Sequence, residues 1–98
     1  MLIEDFKMIT QTALNTSEAK RIAKRLLNHW KHKFEVLETE TEARILMPTA
    51  TVILIPQIHT LDVRIESNLD DHTRLEGVVI DHLNRMAQQE FQVAWQTT

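Results

Sequence analysis

Apolar residues fall every three to four positions from Thr16 to His32 and every second position from Phe34 to Ser67. The chain therefore switches from a helical to a strand repeat near residue 33. In the first stretch Ala19, Ile22, Ala23, Leu26, Leu27 and Trp30 form one continuous stripe. Asn15, Thr16 and Ser17 offer capping oxygens in front of it, and Glu18 stands three residues after Asn15 as in a capping box. Lys31 and Lys33 suit the negative end of the helix dipole. The alternating stretch divides into Phe34–Glu38, Glu42–Met47, Thr51–Ile55 and Thr60–Ser67, with turn residues Thr39-Glu40-Thr41, Pro48-Thr49 and Pro56-Gln57-Ile58 between them. In the last run Leu61, Val63 and Ile65 alternate with Thr60, Asp62, Arg64 and Glu66, the pattern of an antiparallel sheet buried on one face. Thr51–Ile55 is more continuously apolar and predicts a central strand.

A second helical repeat follows Asn68, from Leu69 to about Gln89, with a stripe of Leu75, Val78, Val79 and Met86 and Leu83 at its edge. Asp70 and Asp71 favour its positive end, and Gly77 inside it predicts close approach to a neighbour. Phe91, Val93 and Trp95 alternate and predict a closing strand over Phe91–Gln96, while Ile9–Leu14 reads as an opening strand. The order β-α-β-β-β-β-α-β gives an α+β domain, two helices packed on one face of a mainly antiparallel sheet. The 98 residues form one domain, with residues 1–8 expected to be a flexible extension.

Composition narrows the function. Cysteine is absent, which removes thiolate nucleophiles and Cys-ligated zinc or iron–sulfur centres. A single Gly excludes a Gly-rich phosphate loop. The longest purely apolar run, Val52–Ile55, is far short of a membrane span, and Met1–Met8 has no signal-peptide pattern, so a cytoplasmic protein is expected. The only serines, Ser17 and Ser67, sit at element boundaries where capping explains them, and no nucleophile has a recognisable context. A binding protein is expected rather than an enzyme.

Two irregularities remain. Residues 18–33 carry Lys20, Arg21, Lys24, Arg25, Lys31 and Lys33 against Glu18, a net of +5, while residues 34–98 carry a net of −7. That basic face is a candidate docking surface, but no aromatic residue interleaves with it as nucleic-acid binding would favour. The chain also holds five histidines. His29 and His32 form an H-x-x-H whose rings lie about 60° apart on one side of the helix, and His82 falls between Val78 and Met86 on the apolar face of the second. Imidazole is a ligand for iron, zinc and copper alike, so His29, His32 and His82 are the candidate metal or haem contacts. His72 is placed in the first turn of the second helix and His59 in a turn.

The segment His29-Trp30-Lys31-His32-Lys33-Phe34, together with Arg74-Leu75-Glu76-Gly77-Val78-Val79-Ile80-Asp81-His82-Leu83-Asn84-Arg85, resembles a small bacterial family known as domain of unknown function 2218. The likeness runs from about Thr12 to Gln96 and includes the closing Val93-Ala94-Trp95. It departs from the family pattern at Met86, at Gln88-Gln89-Glu90 and at the Pro48-Thr49 turn. The resemblance implies a compact fold like half of a TATA-binding protein, and gene neighbourhood with, or fusion to, siderophore-interacting ferric reductases. It marks Arg74, Glu76 and Arg85 as family-motif polar residues and Trp30 and Trp95 as structural ones. The expectation is a small accessory protein of bacterial iron, siderophore or haem handling. The alternative is an interaction module that docks on a ferric reductase, or on a second copy of itself, through Lys20, Arg21, Lys24 and Arg25.

Overall fold

The computed structural model describes residues 8–68 and 71–97. Strand β1 (Met8–Asn15) leads into helix α1 (Ala19–Trp30). Four strands follow, β2 (Glu35–Glu38), β3 (Ala43–Leu46), β4 (Ala50–Pro56) and β5 (Thr60–Ser67). Helix α2 (Thr73–Ala87) and a two-residue strand β6 (Gln96–Thr97) complete the chain. The strands form a six-stranded sheet in the order β2-β3-β4-β5-β1-β6, every pairing antiparallel. The expected α+β order is therefore the observed one, and β4 does lie inside the sheet. Of the expected N-terminal extension, residues 1–7 lie outside the described residues, whereas Met8 opens β1 and pairs with Ser67.

One side of the sheet carries the core. Ile45, Val52 and Ile65 stand in register across β3, β4 and β5, and Ala43, Leu54 and Val63 form the next row. All six are buried, as are the α1 stripe residues Ala19, Ile22, Ala23, Leu26, Leu27 and Trp30 that cover them. Each large member contributes about 1.5–3 kcal/mol by leaving water. The Ile45–Val52–Ile65 row ends at Thr10 of β1, which is fully buried. Its hydroxyl donates to Glu76 Oε2 of α2 at 2.8 Å, so the polar group is satisfied and the second helix is tied to the sheet.

The opposite face is not uniformly wet. Ile53 points away from the helices yet is completely buried, flanked in register by Arg44 on β3 and Arg64 on β5. Those two side chains are held along their own strands by ion pairs, Arg44 with Glu42 and Arg64 with Glu66 at 3.3 Å. Long basic side chains on both sides of an apolar residue shield it with their methylene stems. The hydrogen bond to Glu42 holds the Arg44 guanidinium above its usual range; desolvation opposes it, and the nearby charges of Glu42 and Glu66 add to the rise.

Several boundaries differ from the expectation. The capping box does not form: Asn15 belongs to β1, Thr16 Oγ1 accepts from the Glu18 amide at 2.9 Å, and the Glu18 carboxylate turns to Arg21 at 3.0 Å. Helix α2 begins at Thr73; Leu69 and Asp70, the expected start, lie outside the described residues. Asp71 Oδ1 accepts the Thr73 amide at 2.9 Å at the entrance to α2. The α2 stripe is rotated from the expected phase, with Val79 and Leu83 buried and Val78 38% exposed. Gly77 is exposed with nothing within 4 Å of where a Cβ would stand, so it mediates no close approach. The closing strand shrinks to Gln96–Thr97 because side chains take the backbone groups before it. Asn84 Oδ1 accepts the Phe91 amide at 3.1 Å, and the Thr12 hydroxyl donates to Ala94 O at 3.0 Å.

Candidate functional site

Helix α1 ends with Trp30 buried and His29 on its outer side. Helix α2 packs beside it, joined by the Arg25 guanidinium, which donates to Met86 O at 2.8 Å. That packing sets His82 against the end of α1. Its ring centroid lies 4.8 Å from Trp30 and 5.4 Å from His29, tilted by 45° and 47°. Phe34 closes the group edge-on to Trp30 at 6.1 Å.

His82 Nδ1 lies 2.8 Å from Val78 O. A carbonyl can only accept, so Nδ1 carries the proton and the neutral ring keeps its lone pair on Nε2. A backbone carbonyl fixing one ring nitrogen is the usual support for an imidazole that ligates through the other. Two rings on one ion, with metal–nitrogen bonds of about 2.0–2.1 Å and a tetrahedral angle between them, have centroids about 5 Å apart. The His29–His82 separation meets that requirement.

The expected partner within the motif does not join them. His32 is exposed in the turn after α1, and the described residues contain no group of three His, Cys, Asp or Glu side chains able to hold a metal. His32 stands in the hydrogen-bonded turn that follows α1, whereas the ring in contact with His29 is that of His82 on α2. His82 sits half-buried against α1 rather than deep against the sheet.

The family-motif polar residues divide. Glu76 is the partner of Thr10, whereas Arg74 and Arg85 are exposed. Trp95 is half-buried against the core and Trp30 is part of it. Of the basic face, Lys24 binds Glu38 at 2.8 and 3.1 Å, Arg21 binds Glu18 and Arg25 clamps α2, while all of its cations, Lys20, Lys31 and Lys33 included, stay exposed. Four surface hollows of about 240 to 360 Å³ lie elsewhere than the histidine pair: Lys20 and Lys24 line one, Lys20 and Arg21 another, and none of the four has a histidine in its wall.

Sequence reading missed the role of His72. It is buried, its Nε2 is 2.5 Å from Ser67 Oγ, and its Nδ1 is enclosed without a hydrogen bond. The sequence signal was its place five residues after a strand-ending serine. Its neighbour Asp71 has a carboxyl held below the usual range, first by the Thr73 amide, then by the Thr73 hydroxyl, with a smaller effect of His72.

The fold defines a small α+β protein, and its two helices bring His29 and His82 together near the surface. Residues 11–96 match the family described as uncharacterized protein conserved in bacteria, DUF2218, and the chain belongs to that family. The fold is similar to the NMR structure of PA4090 from Pseudomonas aeruginosa, at 32% identity and a TM-score of 0.75, over 92% of this chain and 96% of that one. No curated protein matches the chain. No helix among the described residues is long and apolar enough to cross a membrane.

Proposed function

We propose that the protein is a small, non-enzymatic accessory protein of bacterial iron handling that holds a transition-metal ion on His29 and His82. The observation that carries the reading is the 5.4 Å separation of the two rings, with the Nδ1 of His82 committed to Val78 O. Imidazole serves Fe(II), Zn(II), Ni(II) and Cu(II) alike, so residue type does not choose the ion. Iron is the choice that the family resemblance implies, with a siderophore-interacting ferric reductase as the partner and the cytoplasm as the compartment. A bare ion or a small chelate suits this surface pair better than haem, because none of the hollows offers a histidine to a planar cofactor.

Calorimetric titration with Fe(II), Zn(II) and Ni(II) tests the site. Wild type and His32→Ala should bind alike, while His29→Ala and His82→Asn should each lose most of the affinity, since a single imidazole cannot chelate. Equal heats from all four proteins would reject it. Pull-down on a ferric reductase in low and high salt tests the docking alternative, which has weakened because Arg21, Lys24 and Arg25 are engaged within the molecule.

A further inference from the structure

The histidine pair supplies half of a metal's coordination shell. Structural zinc-type sites are almost always four-coordinate, and catalytic ones use three protein ligands. Among the described residues no third His, Cys, Asp or Glu converges with the pair. The described residues therefore leave the other coordination positions open to ligands from a second molecule.

We infer that they come from a second copy, and that one divalent ion joins two molecules through His29 and His82 of each. This inference rests on the metal reading above and adds the partner and the stoichiometry. Three observations favour a copy of the same chain. First, the pair sits on the outer surface of the helix layer: among the described residues His29 is exposed and His82 half-exposed, within reach of another molecule. Second, two-fold symmetry supplies two more imidazoles of the same kind from the same patch. An isologous contact closes a four-nitrogen shell with one operator and no further component. Third, the surroundings of the pair include an apolar group left uncovered by the fold. Val78, whose carbonyl orients His82, is 38% exposed although the rest of the α2 stripe is buried or half-buried. A contact centred on the ion would cover Val78 from each copy and shield the metal–nitrogen bonds from water.

The arrangement also explains the unequal burial of the two histidines. His82 is held by Trp30 and by Val78 O and provides a rigid ligand, whereas His29 stands free enough to swing onto an ion that arrives from solvent. The small contact area gives little affinity without the ion, so association is metal-dependent and reversible by a chelator.

The experiment is calorimetry with Zn(II) and Ni(II), run beside sedimentation or light scattering on the same samples. One ion should bind per two chains, and the mass should double from 11.5 kDa. EDTA should restore the monomer. His32→Ala should keep both behaviours, while His29→Ala and His82→Asn should lose the metal-induced dimer. Their affinity should fall by more than the roughly 10–100-fold that loss of an outer-shell partner costs. His29 is exposed, so its variant should fold as wild type does and remain a fair test. One ion per chain in a monomer would overturn the bridged dimer while leaving the metal reading intact. A dimer indifferent to EDTA would overturn it as well. Absence of any binding would overturn both.

Discussion

Trp30 shows how one residue can serve packing and site at once. It ends the α1 stripe, is 5% exposed, and presents its ring to His82 on one side and to Phe34 on another. Trp30→Ala should cost about 3–5 kcal/mol, a large part of the roughly 5–15 kcal/mol that holds a typical domain. Denaturant titration checks this, and near-native stability would place the indole outside the core. Gly77 makes the opposite case. It lies inside α2 with an open Cβ direction and no positive φ, so Gly77→Ala should stabilise the protein by about 0.5–1 kcal/mol. A loss of stability there would mean that a partner molecule occupies the open space. Asp71 carries a pH signature. Its carboxyl is held below the usual 3.8 by the Thr73 amide, so its contribution is fully present above that value and is lost as pH falls through the lowered folded value. Asp71→Ala should lower the melting temperature at neutral pH, and the difference from wild type should vanish at the acid end of the profile. A constant difference across pH would show that charge is not involved.

At the scale of elements, α1 followed its pattern closely and α2 did not. All six predicted stripe residues of α1 are buried because the helix crosses β3, β4 and β5 and meets apolar rows on each. Helix α2 lies to one side, touching α1 and reaching β1 through the Thr10–Glu76 bond, and its phase follows the burial of Val79 and Leu83 in the core. Removing the donor should therefore be costly. Thr10→Val leaves a partly enclosed carboxylate without its partner, at about 1.5–3 kcal/mol for a hydrogen bond to a charged group. Thr10→Ser keeps the donor and should recover most of that loss in thermal melts; equal destabilisation by both would assign the effect to packing. The short β6 follows the same logic, because Asn84 and Thr12 satisfy with side chains what a longer ladder would have satisfied with backbone.

For the whole molecule, binding and stability are linked. An ion that binds only the folded chain stabilises it by about 2.7 kcal/mol at one hundred times its Kd. For a domain of this size that corresponds to a rise in melting temperature of at least about 10 °C. Wild type and His32→Ala should show the rise with Zn(II), and His29→Ala should not. A rise of equal size in His29→Ala would locate the ion elsewhere. On the face away from the helices Arg44 and Arg64 cover Ile53, whereas Leu37 on β2 and Leu46 on β3 stay exposed. At the outer edge β2 places Glu35 and Glu38 where a second β2 would meet like charge, which discourages edge-to-edge growth.

Local periodicity by itself determined the element types, their order, the α+β class and the buried face of α1. Those properties depend on neighbours within a few residues, where a repeat of 3.6 or 2 decides which side chains share a surface. It also marked His29 and His82 as candidates, each from its place on one helix. It offered His32 beside them, because spacing along one helix cannot tell which candidate meets His29 from another. Only the tertiary structure decided that α1 ends at Trp30, that α2 lies against it with Val79 and Leu83 turned into the core, and that His82 meets His29 from 53 positions along the chain. Proximity of residues far apart in sequence is a property of packing between elements, and a single helix repeat carries no record of it.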